Sequence, residues 1–421
     1  MSVRAITPGD RETSGPIYCV WEITLACDLG CRHCGSRAGQ QRPEELTTGE
    51  CLEVVDQLAK VGVREVTLIG GEAYLREDWG VIAAAIDEAG MICTITTGAR
   101  NLTDERLETA VRAGVTAISI SLDGLGGTHD AQRGARGSFD AAVDAARRIG
   151  DTPIRLGVNT QINRLSLPEL DGLTALLVEL GVEAWQVQLT VPMGRAADRP
   201  GLLLQPYDLL TLFPLLVWLK ETRLDPAGIV FHPANNVGYF GPYEARLRRG
   251  GERGAYWRGC AAGKYVLGLE ADGTIKGCPS LPTTAYAGGN LRDIEVVEAL
   301  TREPLQRMQG RTTADLWGFC QECYYGEICL AGCTWTSHAV LGRPGNNPYC
   351  IHRALEHEKQ GLRERLVKTE AAPGEPFDVG RFEVVLEPDE ASDSTPSLVD
   401  VLSEGGWSRR ELARILRADP T

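Results

Sequence analysis

The sequence predicts an α/β fold with a parallel β-sheet, followed by a smaller, irregular and cysteine-rich domain. Between residues 17 and 190, short β-rich segments alternate six times with longer segments of helical periodicity. This alternation is typical of a partial (β/α)6 barrel with right-handed crossovers. From residue 238 to residue 348, periodic segments are few, and glycine, proline, cysteine and aromatic residues are frequent. A stretch this poor in regular core needs another stabiliser, such as metal.

The composition restricts the class of protein. The chain has 421 residues, 13 cysteines and a formal net charge of −14, which disfavours binding to nucleic acid through its phosphates. Residues 1–16 contain no apolar signal segment, and the longest apolar run, residues 207–219, is too short to span a bilayer. We therefore expect a cytoplasmic protein that uses no membrane. In that reducing compartment, clustered cysteines hold metal more often than they form disulfides.

The barrel elements carry ordinary start and stop signals. Asp104 and Glu105 follow Thr103 in the first turn of one helix, and Gly114 follows its last turn. The predicted strands span residues 19–25, 65–69, 91–96, 117–122, 155–160 and 184–190. The predicted helices span residues 48–61, 79–89, 103–113, 138–149 and 167–180.

Changes in composition divide the chain into four parts. They are an N-terminal extension (1–16), a barrel with a bridging segment (17–232), a cysteine-rich domain (233–368) and a C-terminal tail (369–421). The bridging segment is predicted to contain a linker (198–206), a helix (207–221) and a strand (229–232). A charged helix is predicted at 355–368, and the tail is predicted to hold an acidic stretch (387–393) and an interrupted helix (397–416). The sequence assigns no chemistry to the tail.

The first group of cysteines follows the first predicted strand. Cys27, Cys31 and Cys34 have the spacing Cys-x3-Cys-x2-Cys. Three thiolates on one loop can hold three irons of a 4Fe–4S cluster and leave the fourth iron open. A loop after a barrel strand lies at the C-terminal mouth, where barrel active sites form. The alternative is a zinc site completed by a residue such as His33.

These residues resemble those of the radical S-adenosylmethionine (SAM) enzymes, and the resemblance covers the whole β/α region. Gly70, Gly71 and Glu72 follow the second strand, where that family has a Gly-Gly-Glu motif that meets the SAM amino group. The resemblance implies further SAM contacts at the ends of later strands, namely Thr96, Thr97, Ser121, Asp123, Asn159 and Gln188. It also implies that Arg133 lies near the SAM carboxylate or the substrate. The alternative for each strand-end residue is a polar side chain that merely closes its strand.

The chemistry implied by this resemblance starts with SAM chelated to the open iron. One electron, from a donor such as flavodoxin or ferredoxin, cleaves a sulfur–carbon bond of SAM. The resulting 5′-deoxyadenosyl radical abstracts a hydrogen atom from the substrate. The protein contributes placement and the exclusion of water.

A second group of cysteines resembles the SPASM extension of radical SAM enzymes, which carries two auxiliary 4Fe–4S clusters and would bring the total to three. By this resemblance, the distal cluster is held by Cys320, Cys323, Cys329 and Cys350, and the proximal cluster by Cys260, Cys278 and Cys333. Fully ligated members have one more cysteine shortly before the first of these, and residues 241–259 contain none. We therefore expect an open iron or a non-cysteine ligand at the proximal cluster. The alternative is two zinc sites that include a histidine such as His338 or His352.

The SPASM resemblance implies a peptide or protein substrate. The expected outcome is a two-electron oxidation, such as a crosslink or a side-chain oxidation in a ribosomal peptide. Residues 1–16 are too few for a peptide-recognition domain, so a separate recognition protein or the barrel surface would bind a leader peptide. Candidate acid/base residues, each with a structural alternative, are Asp272, Tyr324, Tyr325 and His338.

Three hypotheses of function therefore stand. The first is a peptide-modifying radical SAM enzyme. The second is a small-molecule dehydrogenase or carbon-skeleton enzyme of the same superfamily. The third is a zinc or iron–sulfur scaffold or redox sensor without SAM turnover. The three remaining cysteines, Cys19, Cys51 and Cys93, are expected to be buried, free and without a role.

Overall fold

The fold is described from a computed structural model for residues 15–248, 257, 259–389 and 396–417. Its first half alternates parallel strands with helices. The strands are β1 (Tyr18–Thr24), β2 (Glu65–Gly70), β3 (Ile92–Thr97), β4 (Val115–Ser121), β5 (Arg155–Ile162), β6 (Ala184–Leu189) and β7 (Val230–Pro233). The helices are α1 (Thr48–Lys60), α2 (Trp79–Glu88), α3 (Asp104–Arg112), α4 (Gly126–Arg133), α5 (Ser138–Gly150), α6 (Leu170–Glu179), α7 (Leu209–Leu219) and α8 (Glu244–Leu247).

The six predicted β/α alternations are confirmed, with element ends that shift by a few residues. Apolar burial explains why these segments fold as they do. Cys19 and Trp21 of β1 lie in one core cluster with Val54 of α1 and Ile82 of α2, and the four side chains are almost completely buried. The other two cysteines that were expected to be free, Cys51 and Cys93, belong to the same cluster. Hydrophobic burial between the sheet and its helices therefore stabilises the barrel.

The second half consists of short elements that continue the same sheet. The strands are β8 (Val266–Leu269), β9 (Thr274–Lys276) and β10 (Ala287–Asn290). The helices are α9 (Thr283–Tyr286), α10 (Val296–Ala299), α11 (Glu303–Gln309), α12 (Gly326–Cys329), α13 (Thr334–Leu341) and α14 (Ile351–Glu358). In the described chain the sheet has the order β10-β9-β8-β1-β2-β3-β4-β5-β6-β7. Strand β8 pairs in parallel with β1, so the cysteine-rich region is joined to the barrel through main-chain hydrogen bonds.

Two predictions about the connections were wrong. The predicted charged helix at 355–368 ends in α14, and residues 362–370 form a strand, β11 (Leu362–Glu370). This strand pairs with β12 (Arg381–Pro388), and a distant partner can override a local charge pattern that favours helix. Residues 198–206 are not a free linker, because Leu202, Leu203 and Leu204 are buried in or beside short 3₁₀ turns.

The tail contains more structure than the sequence indicated. The predicted interrupted helix is confirmed as two helices, α15 (Leu398–Glu404) and α16 (Arg409–Arg417). Of the acidic stretch at 387–393, residues 390–393 lie outside the described residues, as does most of the N-terminal extension. Trp407 anchors the two helices: its Nε1 donates a hydrogen bond to the Pro168 carbonyl oxygen at 2.9 Å, and its ring lies 5.6 Å from the Trp218 ring.

One helical stretch, Pro200–Ala227, is long and apolar enough to cross a membrane. In the structure 78% of its most apolar window is buried against the rest of the protein. Within it, α7 packs against α14 and α16. Its apolar character is therefore accounted for by the core of the fold.

The Trp407 anchor leads to a prediction about local stability. We expect Trp407→Ala to lower the free energy of opening of α15 and α16 by about 3 kcal/mol, because a large buried side chain is removed. Hydrogen exchange at residues 398–417 measures this opening. Trp407→Phe is the comparison variant, since it keeps one aromatic ring and loses the hydrogen bond together with part of the buried indole, and it should have a smaller effect. Equal exchange in the Ala variant and the wild type would contradict the prediction.

Candidate active site and metal centres

The cysteine loop lies at the carboxyl end of β1, on the same edge of the sheet as the ends of β2 to β6. Two main-chain hydrogen bonds attach it to the end of α4: the Gly30 N–H donates to the Arg133 carbonyl at 2.9 Å, and the Arg32 N–H donates to the Gln132 carbonyl at 2.7 Å. Helix α4 was not predicted from the sequence. Its Gly126-Gly127 start obscures the helical pattern, since glycine is a poor helix former.

The three thiols of this loop lie in surroundings that suit thiolates. The Cys27 sulfur accepts a hydrogen bond from the Leu29 N–H at 3.4 Å, and the Cys34 sulfur accepts one from the Ala38 N–H at 3.3 Å. The Arg133 guanidinium donates to the Cys31 sulfur at 3.6 Å. Burial raises the pKa of Cys31, and Arg133 opposes this rise. Thiols with donors aimed at sulfur fit a bound iron–sulfur cluster, whose cationic irons favour the deprotonated form.

The Gly-Gly-Glu turn packs directly on this loop. A Cβ atom at Gly71 would lie 2.1 Å from the Ala26 carbonyl oxygen and 2.5 Å from the Cys27 Cβ, and one at Gly70 would lie 2.1 Å from the Thr24 oxygen. Only glycine fits at such a close approach of two backbones. The Glu72 N–H in turn donates to the Ala26 oxygen at 2.8 Å. The two glycines therefore bring Glu72 to the cysteine loop.

The Glu72 carboxylate is held in one orientation. It accepts hydrogen bonds from the Thr97 hydroxyl and from the Gly98 N–H, the latter at 2.7 Å. Ligand atoms of Cys27, Asp28 and Glu72 lie within 4.8 Å of one another. Burial raises the pKa of Glu72 to about 7, against these hydrogen bonds. A buried, oriented carboxylate beside the cysteine loop is suited to receive an ammonium group.

Asp123 lies in an ion-pair network with two other side chains of the protein, and its expected role as a SAM contact stays a prediction. It is completely buried, and its Oδ2 lies 2.6 Å from both His33 Nε2 and Arg133 Nη2. Burial opposes its ionisation, yet Arg133 and His33 hold the pKa of Asp123 below its usual range. The Asp123 carboxylate is thus already paired with the His33 and Arg133 side chains. His33 uses Nε2 for Asp123, which disfavours the alternative of a zinc site completed by that nitrogen.

The remaining strand-end candidates are half-buried and share one face of the sheet. Ser121 of β4 is in register with Asn159 of β5, and Gln161 of β5 is in register with Gln188 of β6. Thr96 of β3 is paired with a residue of β4 on the same face. Their role as SAM contacts stays a prediction. Gln161 was not among the site residues predicted from the sequence, although polar residues at alternating strand positions indicate a polar barrel interior.

The distal set of cysteines lies around one cavity, which Cys320, Cys323, Cys329 and Cys350 all line. Burial raises the pKa of Cys350 to about 12, and the nearby Cys320 and Cys323 add to the rise. Four thiols around one cavity, two of them on buried residues, form a donor set that a 4Fe–4S cluster or a zinc ion can use. The cavity is otherwise mainly aromatic, and His352 lies in its wall.

The proximal set is also brought together. Burial raises the pKa of Cys333 to about 12, and the neighbouring Cys260 and Cys278 thiols contribute to this rise. The pKa of Cys278 rises to about 11 through burial and the proximity of Cys260. The residues before this set, 249–256 and 258, lie outside the described residues. The described part of the chain brings three thiols together here, and the expected non-cysteine ligand or open iron stays a prediction.

The four acid/base candidates are dispersed in the C-terminal region. Asp272 accepts a hydrogen bond from the Thr274 N–H at 2.9 Å in the β8–β9 turn. Tyr324 is 90% exposed, and Tyr325 stacks on Phe240 with ring centroids 4.5 Å apart. His338 Nδ1 lies 3.0 Å from the Tyr286 hydroxyl, and burial lowers the pKa of His338 to about 4. These contacts favour structural roles, and an acid/base role for any of the four stays a prediction.

A cysteine loop and a Gly-Gly-Glu turn at the mouth of a partial barrel define a class of SAM-dependent iron–sulfur enzymes, and comparison with known proteins identifies the family. The family model "Radical SAM superfamily" matches residues 21–163. The AdoMet-dependent heme synthase of Methanosarcina barkeri is 30% identical over 352 residues, which cover 81% of this chain and 98% of that protein. The chain therefore belongs to the radical SAM superfamily and is an enzyme that uses SAM and a 4Fe–4S cluster.

Two further comparisons cover most of the chain. The mycofactocin maturase MftC of Mycolicibacterium smegmatis is 29% identical over 382 residues, which cover 85% of this chain and 89% of MftC. The crystal structure of Streptococcus suis SuiB bound to S-adenosylmethionine has a TM-score of 0.61 at 19% identity and covers 76% of this chain and 74% of SuiB. The likeness to SuiB shows the fold. The cysteine-rich C-terminal region fits that of the SPASM-type maturases, and membership of an enzyme family overturns the hypothesis of a scaffold without turnover.

The position of Glu72 leads to a prediction about SAM binding. We expect Glu72→Gln to weaken SAM binding about tenfold, or about 1.4 kcal/mol, because a neutral amide replaces a charged acceptor of similar shape. Equilibrium dialysis with labelled SAM under anaerobic conditions measures the Kd. Glu105→Gln, on the exposed surface of α3, is the matched control. An unchanged Kd together with an unchanged iron content would contradict this role for Glu72.

Proposed function

We propose that Cys27, Cys31 and Cys34 hold the SAM-binding 4Fe–4S cluster, and that the enzyme oxidatively modifies a peptide or protein. One observation carries the first part: the cysteine loop and the Glu72 carboxylate are packed together at the mouth of the barrel. When bound, the cluster supplies the electron that cleaves SAM reductively. An electron donor of the flavodoxin or ferredoxin type would provide that electron.

The residues of this chain contribute binding, orientation and exclusion of water. Glu72 would accept the SAM ammonium group, with Thr97 and Gly98 fixing its carboxylate. The buried Asp123 would keep Arg133 and the cysteine loop in place through its ion pair. A dry and preorganised site protects a reactive intermediate from side reactions.

We further propose that both C-terminal sets hold 4Fe–4S clusters, which gives three clusters in all. The grouping of the thiols into a set of four and a set of three supports this proposal. When bound, such clusters supply sites for storing the electron that a substrate oxidation releases. We place the boundary between the barrel and this auxiliary domain near residue 233, at the end of β7, and the whole protein in the reducing cytosol.

A peptide or protein substrate is supported by the likeness to MftC, whose name describes a maturase and whose similarity to this chain extends over 85% of it. A second candidate is a small molecule of the kind that the name heme synthase implies, because that relative is 30% identical and is covered almost completely. A separate recognition protein would present a leader peptide in the first case, whereas the second case needs none.

Incubation with both kinds of substrate distinguishes these candidates. Reduced, cluster-loaded enzyme with SAM is offered either short peptides encoded beside its gene or a porphyrin precursor of heme. We expect a peptide to increase 5′-deoxyadenosine formation and to lose two hydrogen atoms, as measured by mass spectrometry. Turnover of the porphyrin with no change in any peptide would overturn the peptide proposal in favour of the second candidate.

The cysteine assignment at the mouth predicts the effect of removing one thiol. We expect Cys31→Ala to abolish 5′-deoxyadenosine formation from SAM in the presence of dithionite, because two remaining thiolates cannot hold the cluster in its place. Liquid chromatography of the quenched reaction measures the product. Cys93→Ala, at a buried cysteine of β3, is the matched control and should retain the activity. Product formation by the Cys31 variant would contradict the assignment.

The assignment of the C-terminal sets predicts iron contents. We expect anaerobically reconstituted wild type to hold about twelve irons per chain. The double variant Cys320→Ala/Cys323→Ala and the single variant Cys333→Ala each leave two thiols in their set and should each lose about four irons. Iron and zinc are measured by mass spectrometry of the folded protein. A content of about four irons together with two zinc ions in the wild type would instead establish the zinc alternative.

A further inference from the structure

The tip of the C-terminal hairpin, residues 371–380 between β11 and β12, lies against the cysteine loop. The Phe377 N–H donates a hydrogen bond to the Gly35 carbonyl oxygen at 2.9 Å, one residue after Cys34. The Gly194 N–H, in the segment that follows β6, donates to the main-chain carbonyl oxygen of Asp378 at 2.8 Å. The hairpin tip thus reaches the mouth of the barrel from a distant part of the sequence, since its Asp378 contacts Arg37, which lies 341 residues earlier.

The principal polar contact between tip and loop is made by Arg37. Its Nε and Nη2 donate to the two oxygens of Asp378 at 2.9 and 3.1 Å, and its Nη1 and Nη2 donate to Asp198 at 2.7 and 3.0 Å. The Asp378 side chain is only 4% exposed, whereas Asp198 is 39% exposed. Bidentate guanidinium–carboxylate pairs fix an orientation as well as a distance, and the buried one is screened least by water.

Two residues at the same contact have a left-handed backbone conformation. Arg37 has a φ of 51° and Phe377 has a φ of 58°, and both lie in the left-handed region that residues with a Cβ seldom adopt. Such conformations are energetically costly and persist where the surroundings determine them. The surroundings here are the hydrogen bonds of Phe377 and Arg37 and the Lys276 ammonium, which lies 3.7 Å from the centre of the Phe377 ring.

The other side of the loop is held by the barrel itself. The Arg195 N–H donates to the Cys34 carbonyl oxygen at 3.0 Å, and the Arg195 guanidinium donates to the Ala38 carbonyl oxygen at 2.6 Å. The loop that follows Cys34 is therefore clamped between the end of β6 and the tip of the hairpin. Removal of either side would leave it with fewer fixed hydrogen bonds.

We propose that Asp378 is a positioning residue for the SAM-binding cluster, which acts through Arg37 to fix the segment of the cysteine loop that carries Cys34. This inference rests on the proposed assignment of Cys27, Cys31 and Cys34 to that cluster. The C-terminal hairpin is therefore part of the active site's supporting structure. Partners that orient a metal ligand commonly change affinity or activity by ten- to a hundredfold.

The test compares Asp378→Asn with a matched variant of the same hairpin. Glu370→Gln removes a carboxylate from the exposed Glu370–Arg381 pair, which does not contact the cysteine loop. For each variant, the change that SAM causes in the electron paramagnetic resonance spectrum of the reduced protein is recorded, together with iron content and the rate of 5′-deoxyadenosine formation. We expect Asp378→Asn to alter the SAM-induced change and to lower the rate about tenfold, with iron content retained.

A second variant keeps the test decisive should Asp378→Asn fail to fold. Arg37→Lys replaces the planar fork of donors with a compact ammonium that cannot form the two bidentate pairs, and it should alter the spectrum in the same direction. Combined with Asp378→Asn, its effect should be less than additive, because both changes break one contact.

The results of these measurements distinguish a positioning role of Asp378 from a general destabilisation of the hairpin. Wild-type spectra and rates in both Asp378→Asn and Arg37→Lys would overturn the inference, and so would an equal loss in Glu370→Gln, which would indicate general destabilisation of the hairpin. A wild type that holds no SAM-responsive cluster would overturn the proposed function instead. Loss in Asp378→Asn with a normal Glu370→Gln supports the positioning role.

Discussion

The arrangement of the active site depends on one buried carboxylate, that of Asp123. It follows β4 and binds His33 of the cysteine loop and Arg133 of α4 through the same oxygen, at 2.6 Å each. A buried charge is tolerated only when it is paired and hydrogen-bonded, so these three groups must assemble together. Arg133 also donates to the Cys31 sulfur. The barrel thereby orients the cysteine loop through an ion pair whose loss would leave an uncompensated buried charge.

A second buried ionic group lies where the two halves of the chain meet. Arg42 binds Glu22 of β1 at 2.8 Å and Glu270, just after β8, at 3.1 Å, and Glu270 also binds Lys276 of β9 at 2.6 Å. Replacing such a network with apolar residues is often neutral for stability, so its value lies more in defining one arrangement. In this protein the ionic network accompanies the pairing of β8 with β1, and it so aligns the cysteine-rich C-terminal region with the mouth of the barrel.

The C-terminal tail contacts both the cysteine loop and the bridging helix α7. Its hairpin places Asp378 beside Arg37 of the cysteine loop, and Trp407 packs on the bridging helix α7. Three distant parts of the chain therefore converge at the mouth: the loop after β1, the end of β6 and the hairpin tip. Enzymes that generate reactive intermediates need such support, because small displacements of the reacting groups are costly.

The division of the later cysteines into two sets followed from the resemblance to the SPASM extension. The sequence by itself determined the alternation of strands and helices, the cysteine loop and the Gly-Gly-Glu turn. Each of these depends on local periodicity or short spacing, which a single sequence displays directly. The tertiary structure alone decided that residues 362–370 form a strand, that Asp123 is enclosed by His33 and Arg133, and that Asp378 reaches Arg37. These outcomes depend on pairing and burial between distant segments, whose energies no local pattern contains.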